Sequence, residues 1–123
     1  MPLRIEVSPR PDRADPASES LTQGLKPVLP GLTAARIVTV YLVEGLGKDA
    51  AQRLAPSLFF DPVVETFAVD PPAPKGLFFE IAKRPGVMDP VALSALEALK
   101  ALGERPEGLR IVRRVVLEGK LKP

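Results

Sequence analysis

Arg84-Pro85-Gly86-Val87-Met88-Asp89-Pro90 repeats the pattern of an earlier stretch, Arg10-Pro11-Asp12-Arg13-Ala14-Asp15-Pro16, at a distance of 74 residues. Both open on Arg-Pro and close on Asp-Pro. Such an ending is a helix start, because Asp accepts hydrogen bonds from the free first-turn amides and Pro is preset for the first helical position. The offset holds on either side without a gap. Glu6 falls on Glu80, Ser20 on Ser94, Leu25 on Leu99 and Lys26 on Lys100. Further on, Arg36-Ile37-Val38 falls on Arg110-Ile111-Val112, and Glu44-Gly45 on Glu118-Gly119. About 14 of roughly 44 aligned pairs are identical, where chance gives about three. The chain reads as a duplication, with a first repeat over 1–74 and a second over 75–123.

Each repeat begins strand–helix–strand. Leu3, Ile5 and Val7 alternate with Arg4 and Glu6, the period of a half-buried strand, and Pro9 and Pro11 end it. A helix follows from Asp15-Pro16, with Leu21, Leu25 and Val28 at helical spacing. Ile37 to Val43 is apolar on both faces and predicts a strand covered on both sides. Lys48 to Phe60 predicts a second helix that Pro56 should kink or break, and Asp61-Pro62 stops it before a strand over Val63 to Val69. Pro71, Pro72 and Pro74 make a stiff linker. The pattern then restarts with a strand Leu77–Ala82, a helix from Asp89-Pro90 to Leu102, and a strand Leu109–Leu117. The expected fold class is α+β: duplicated β-α-β-(α-β) units, a mainly antiparallel sheet, and helices on one face.

The 123 residues suit one domain, and 15 prolines argue for short elements. Cys and His are both absent, which excludes disulfides, thiolate catalysis, zinc–sulfur sites and any Ser–His–Asp or Cys–His mechanism. No catalytic, cofactor-binding or metal-ligating residue is assigned. Net charge is +2 and aromatics are 5%, so a clustered basic face with stacking rings is not evident and nucleic acid is not an expected partner. No apolar run is long enough to span a membrane, and the start Met1-Pro2-Leu3-Arg4 reads as a cytoplasmic one.

Two motifs invite chemical readings. Gly45-Leu46-Gly47-Lys48-Asp49 lacks the earlier Gly and the following Ser or Thr of a phosphate loop, so it reads as a strand–helix turn. Asp15 and Asp89, each directly before a Pro, read as helix caps rather than acid–base groups.

Arg84 to Ala92, a turn of the Arg/Lys-Pro-Gly-Val type with an Asp-Pro helix start, resembles the PurS family and the PurS-like domain of fused formylglycinamide ribonucleotide (FGAR) amidotransferases. Leu58-Phe59-Phe60-Asp61-Pro62-Val63-Val64-Glu65-Thr66-Phe67 resembles that family's second-helix exit into its last strand. The first repeat departs from the pattern, with Asp12-Arg13-Ala14 where the family has Gly-Val. The resemblance implies a non-catalytic scaffold of formylglycinamidine ribonucleotide (FGAM) synthase, an ATP- and glutamine-dependent ligase of purine biosynthesis. Its partners would be a PurL-type synthetase and a PurQ-type glutaminase, which it would bridge. Asp15, Pro16, Asp61, Pro62, Pro85, Gly86, Asp89 and Pro90 would be structural caps and turns. A rival reading is an ACT-like small-molecule-binding regulatory domain, which also uses paired strand–helix repeats.

Pro123 falls on Asp49, so the second repeat has no counterpart of the first repeat's second helix and third strand. Two explanations stand side by side: the chain is the leading fragment of a fused synthetase, which is the favoured expectation, or it is complete and something else supplies the missing elements. An uncovered Leu109–Leu117 strand predicts self-association as a twofold dimer, with Val112 and Val116 at the interface.

Overall fold

The computed structural model describes residues 3–10, 15–58 (55–58 in backbone only), 63–73, 76–82 and 89–120. Its elements run β1 (Leu3–Pro9), α1 (Pro16–Leu25), β2 (Leu32–Glu44), α2 (Lys48–Leu58), β3 (Glu65–Val69), β4 (Leu77–Ala82), α3 (Pro90–Ala101) and β5 (Gly108–Gly119). The fold is α+β: one five-stranded sheet of order β3-β1-β2-β5-β4, antiparallel at every pairing, with three helices packed on it. Among the described residues no helix is long and apolar enough to cross a membrane.

The offset of 74 recurs in the hydrogen-bonded register. Leu3 lies opposite Val43 and Val7 opposite Thr39; adding 74 to each gives Leu77 opposite Leu117 and Ile81 opposite Arg113, which are the pairs between β4 and β5. The two repeats meet where β2 pairs with β5, and there Thr39 lies opposite Arg113, its own repeat partner. Val38–Arg114 and Val40–Val112 flank that pair and exchange under the same offset. A pseudo-twofold axis therefore passes through the centre of the sheet.

Strand alternation divides the side chains between two faces. Leu3, Ile5 and Val7 pack with Val43 and Leu46 against Ala51 of α2 and Leu99 of α3. Leu32, Ala35 and Val115 pack against Leu21 and Leu25 of α1 on the same face of the sheet. Leu25 and Leu99 are repeat partners, so each repeat sends the equivalent leucine into the core. The opposite face carries Arg4, Glu6, Val40, Val112, Arg114, Phe78 and Glu80, and among the described residues no helix lies over it.

Gly45 and Gly119, again 74 apart, both have positive φ, +83° and +133°. A Cβ on Gly119 would sit 2.2 Å from the Gly31 carbonyl oxygen, and one on Gly45 would sit 2.9 Å from the Glu107 amide nitrogen. Each glycine lets the end of a central strand close against the other repeat's backbone, where a side chain has no room.

Several boundaries differ from the sequence reading. β2 starts at Leu32 rather than Ile37, because pairing with β5 continues past the end of β1. The β2 edge thereby left open is taken by α1: Ser18 Oγ accepts from the Ile37 amide at 3.0 Å, and Thr22 Oγ1 from the Ala35 amide at 2.9 Å. α2 continues past position 56 to Leu58 without a break, although proline there removes the amide that would bond the carbonyl four residues earlier; only one helical bond is lost, close to the end of the helix. Residues 59–62 and 74, with the Asp61-Pro62 stop and part of the proline linker, lie outside the described residues.

Candidate functional site

Four charged side chains meet on the face without helices, close to the pseudo-twofold axis. Arg114 Nη1 donates to Glu6 Oε1 at 3.0 Å, and its Nε donates to Glu80 Oε2 at 3.3 Å. Arg4 completes the ring, with Nη2 2.7 Å from Glu80 Oε2 and Nε 3.4 Å from Glu6 Oε2. Glu6 and Glu80 are repeat partners, so the duplication brings two equivalent carboxylates to one buried guanidinium. The Arg114 guanidinium carbon also stands 4.9 Å from the centroid of the Phe78 ring, a cation–π contact.

Formation of this ring follows from the register. Glu6 lies opposite Val40, Val40 opposite Val112, and Val112 opposite Ala82, so one row of side chains crosses four strands. Glu80–Arg114–Val38 is the next row on the same face, and Arg4–Leu42–Arg110 the row on the other side. The ring thus spans Val40 and Val112, which are buried although no helix among the described residues covers them. The segment after β3 contributes as well: Pro71 and Pro72 line a cleft of about 370 Å³ with Glu6, Arg36, Arg114 and Val116. That segment is anchored where Arg4 and Asp70 exchange hydrogen bonds of 2.8 Å, from the Arg4 amide to Asp70 Oδ1 and from the Asp70 amide to the Arg4 carbonyl.

Electrostatics follow from the geometry. Burial alone would raise the pKa of Glu80, but hydrogen bonds and charge from Arg4 and Arg114 hold its carboxyl below the ordinary carboxylate value. With two cations and two anions the ring is neutral, and its members satisfy one another. It is a fastener between repeats, and removal of one member would leave a buried charge without its partner.

The helix starts differ between the repeats. Asp89 caps α3, accepting from the Val91 amide at 3.1 Å and the Ala92 amide at 3.3 Å. Asp15 stands at the N-cap position of α1 and makes no such bond; its carboxylate accepts instead from the Ser18 hydroxyl. The cause is the side chain three residues on: Ser18 offers a hydroxyl, and its repeat partner Ala92 offers none. Pro16 and Pro90 each hold the first helical position as the Asp-Pro pattern predicts. Pro85 and Gly86, like Asp61 and Pro62, lie outside the described residues.

Val112 and Val116 do not stand at an open edge. β5 is an interior strand, paired with β2 on one side and β4 on the other, and both valines are buried within the single chain. The free edge lies one strand further out, at β4. Gly45-Leu46-Gly47 is a strand–helix turn whose Leu46 is buried in the core, and Lys48 stands 3.5 Å from Asp70. Among the described residues no cluster of three or more His, Cys, Asp or Glu side chains is placed to hold a metal ion.

The ring was not anticipated from sequence, although one signal for it was present. Arg113-Arg114 puts two cations in succession inside an apolar strand, so one must point to each face. The equivalence of Glu6 and Glu80 supplied the matching carboxylates. Comparison of the chain with protein-family models, with curated proteins and with solved structures finds no match.

Proposed function

We propose that the chain is a non-catalytic scaffold of a PurS-like kind, which bridges the synthetase and glutaminase parts of FGAM synthase in the cytoplasm. The observation that carries this reading is the resemblance of its Arg-Pro-Gly-Val…Asp-Pro and Phe-Phe-Asp-Pro motifs, set in a duplicated pattern. The pairing of Thr39 with Arg113 supports it, because two repeats joined into one sheet present two related surfaces for two partners. The charge ring supports it too. Its groups are engaged in holding the repeats together, as a rigid spacer requires.

Size-exclusion chromatography of the chain with the synthetase and glutaminase of the same organism tests the proposal. The expected result is a ternary peak containing all three. Independent elution of the chain would overturn it, and saturable micromolar binding of an amino acid or nucleotide in calorimetry would favour the ACT-like sensor instead.

A further inference from the structure

β4 is an edge strand, whereas β1, its repeat counterpart, is interior and bracketed by β3 and β2. The consequence is visible at equivalent positions. Ile5 and Val7 are 0% and 2% exposed, while Phe79 and Ile81, the same positions in the second repeat, are 43% and 56% exposed. Phe78 on the other face is also exposed.

Natural edge strands are blunted by lysine, proline, bulges or inward charges. β4, Leu77-Phe78-Phe79-Glu80-Ile81-Ala82, carries no lysine and no proline, and its pairing with β5 is regular throughout. Its one charge, Glu80, is directed across the sheet to Arg4 and Arg114 and does not guard the edge.

We propose that two copies of the chain join edge to edge through β4, antiparallel, with Phe79 opposite its counterpart in the second copy. This inference does not rest on the proposed function. The occupant is a second copy because β4 is complementary to itself in one register. Centred on Phe79, the pairing sets Leu77 against Ile81 and Phe78 against Glu80, so the apolar side chains of the helix-bearing face meet one another. Centred on Glu80, it would oppose two carboxylates, and like charges directly opposite are destabilising. The twofold operation keeps the helices of both copies on one side and extends the sheet to twice its five strands. It repeats the operation that already joins β2 to β5 about Thr39 and Arg113. Pairing of β4 with the opposite edge strand, β3, would be head-to-tail and would build a ring or an open filament rather than a closed twofold dimer.

The test uses the full chain, which contains no cysteine. Sedimentation velocity over micromolar concentrations is expected to show a monomer–dimer equilibrium. Phe79→Lys is expected to weaken it at least about tenfold, since it sets two ammonium groups opposite each other. Phe79→Cys is expected to form an intermolecular disulfide under mild oxidation, because directly opposed residues bring their Cβ atoms within about 5 Å; Thr66→Cys on β3 is expected not to. A monomer at all concentrations overturns the proposal, as does a dimer unaffected by Phe79→Lys or cross-linked through Thr66→Cys instead. Circular dichroism of Phe79→Lys identifies misfolding, and in that event the cysteine pair decides.

Discussion

Glu6 and Glu80 stand 74 positions apart and accept hydrogen bonds from the same guanidinium, that of Arg114, at 3.0 and 3.3 Å. Position 40, the repeat counterpart of 114, is a valine. The two repeats are therefore alike in backbone register and unlike at the axis, where one arginine serves both glutamates.

Arg114→Ala removes the shared donor and leaves the half-buried Glu6 beside Arg4 alone. The expected cost is about 3 kcal/mol, the scale of breaking a buried ion pair from one side. Glu80→Gln keeps a hydrogen-bonding group at a partly exposed position and is expected to cost no more than about 1 kcal/mol. Urea denaturation of both variants checks the order. Equal and small losses would show that the ring is not a fastener.

The depressed pKa of Glu80 makes part of this stability pH-dependent. A carboxylate with its folded-state pKa below the ordinary 4.5 contributes fully above that value, and the contribution is lost as pH falls through the folded-state value. The stability difference between the native sequence and Glu80→Gln should therefore be level above 4.5 and shrink below it. Denaturation at a series of pH values measures it. A difference that grows toward acid would contradict the assignment.

Tyr41 is the single tyrosine of the chain, so phenol ionisation reports on it alone. Burial first, and then the negative charges of Glu65 and Asp89, push its pKa above the ordinary 10.0. Here the folded-state value is raised, so the associated stability is present below 10.0 and lost as pH rises through the folded value. Near-ultraviolet titration should give a higher midpoint for the folded chain than for the urea-unfolded chain, and Glu65→Gln should lower it. Coincident midpoints would place the ring in solvent.

The unequal helix starts predict unequal coupling. Asp89→Ala should cost about 1 kcal/mol, the usual worth of a cap, and should add independently to Ser18→Ala. Asp15→Ala should cost much less in a Ser18→Ala background than alone, because the Ser18 hydroxyl is its partner. A double-mutant cycle by urea denaturation decides it. Full additivity would mean that Asp15 acts elsewhere.

Local patterns carried much of this structure. The strand Leu77–Ala82 was legible to the residue, since it is a short apolar run that starts directly after Gly76 and restarts the pattern of the first repeat. Asp-Pro located both helix starts, because proline geometry is intrinsic. What the pattern did not carry was adjacency. Val112 and Val116 look like any apolar strand, and only the order β3-β1-β2-β5-β4 shows that β4 shields them. The cap of α1 depended on a hydroxyl three residues away competing for the carboxylate. The charge ring depended on rows of residues crossing four strands, which no window along the chain contains.

The central claim is that this duplicated sheet holds a synthetase and a glutaminase together so that ammonia passes between them. It is tested most directly by the rate of FGAM formation with glutamine or with ammonium as nitrogen donor, each with and without the chain added to both partners. The account predicts that the chain raises the glutamine-dependent rate and leaves the ammonium-dependent rate unchanged. Equal glutamine-dependent rates with and without the chain would contradict it.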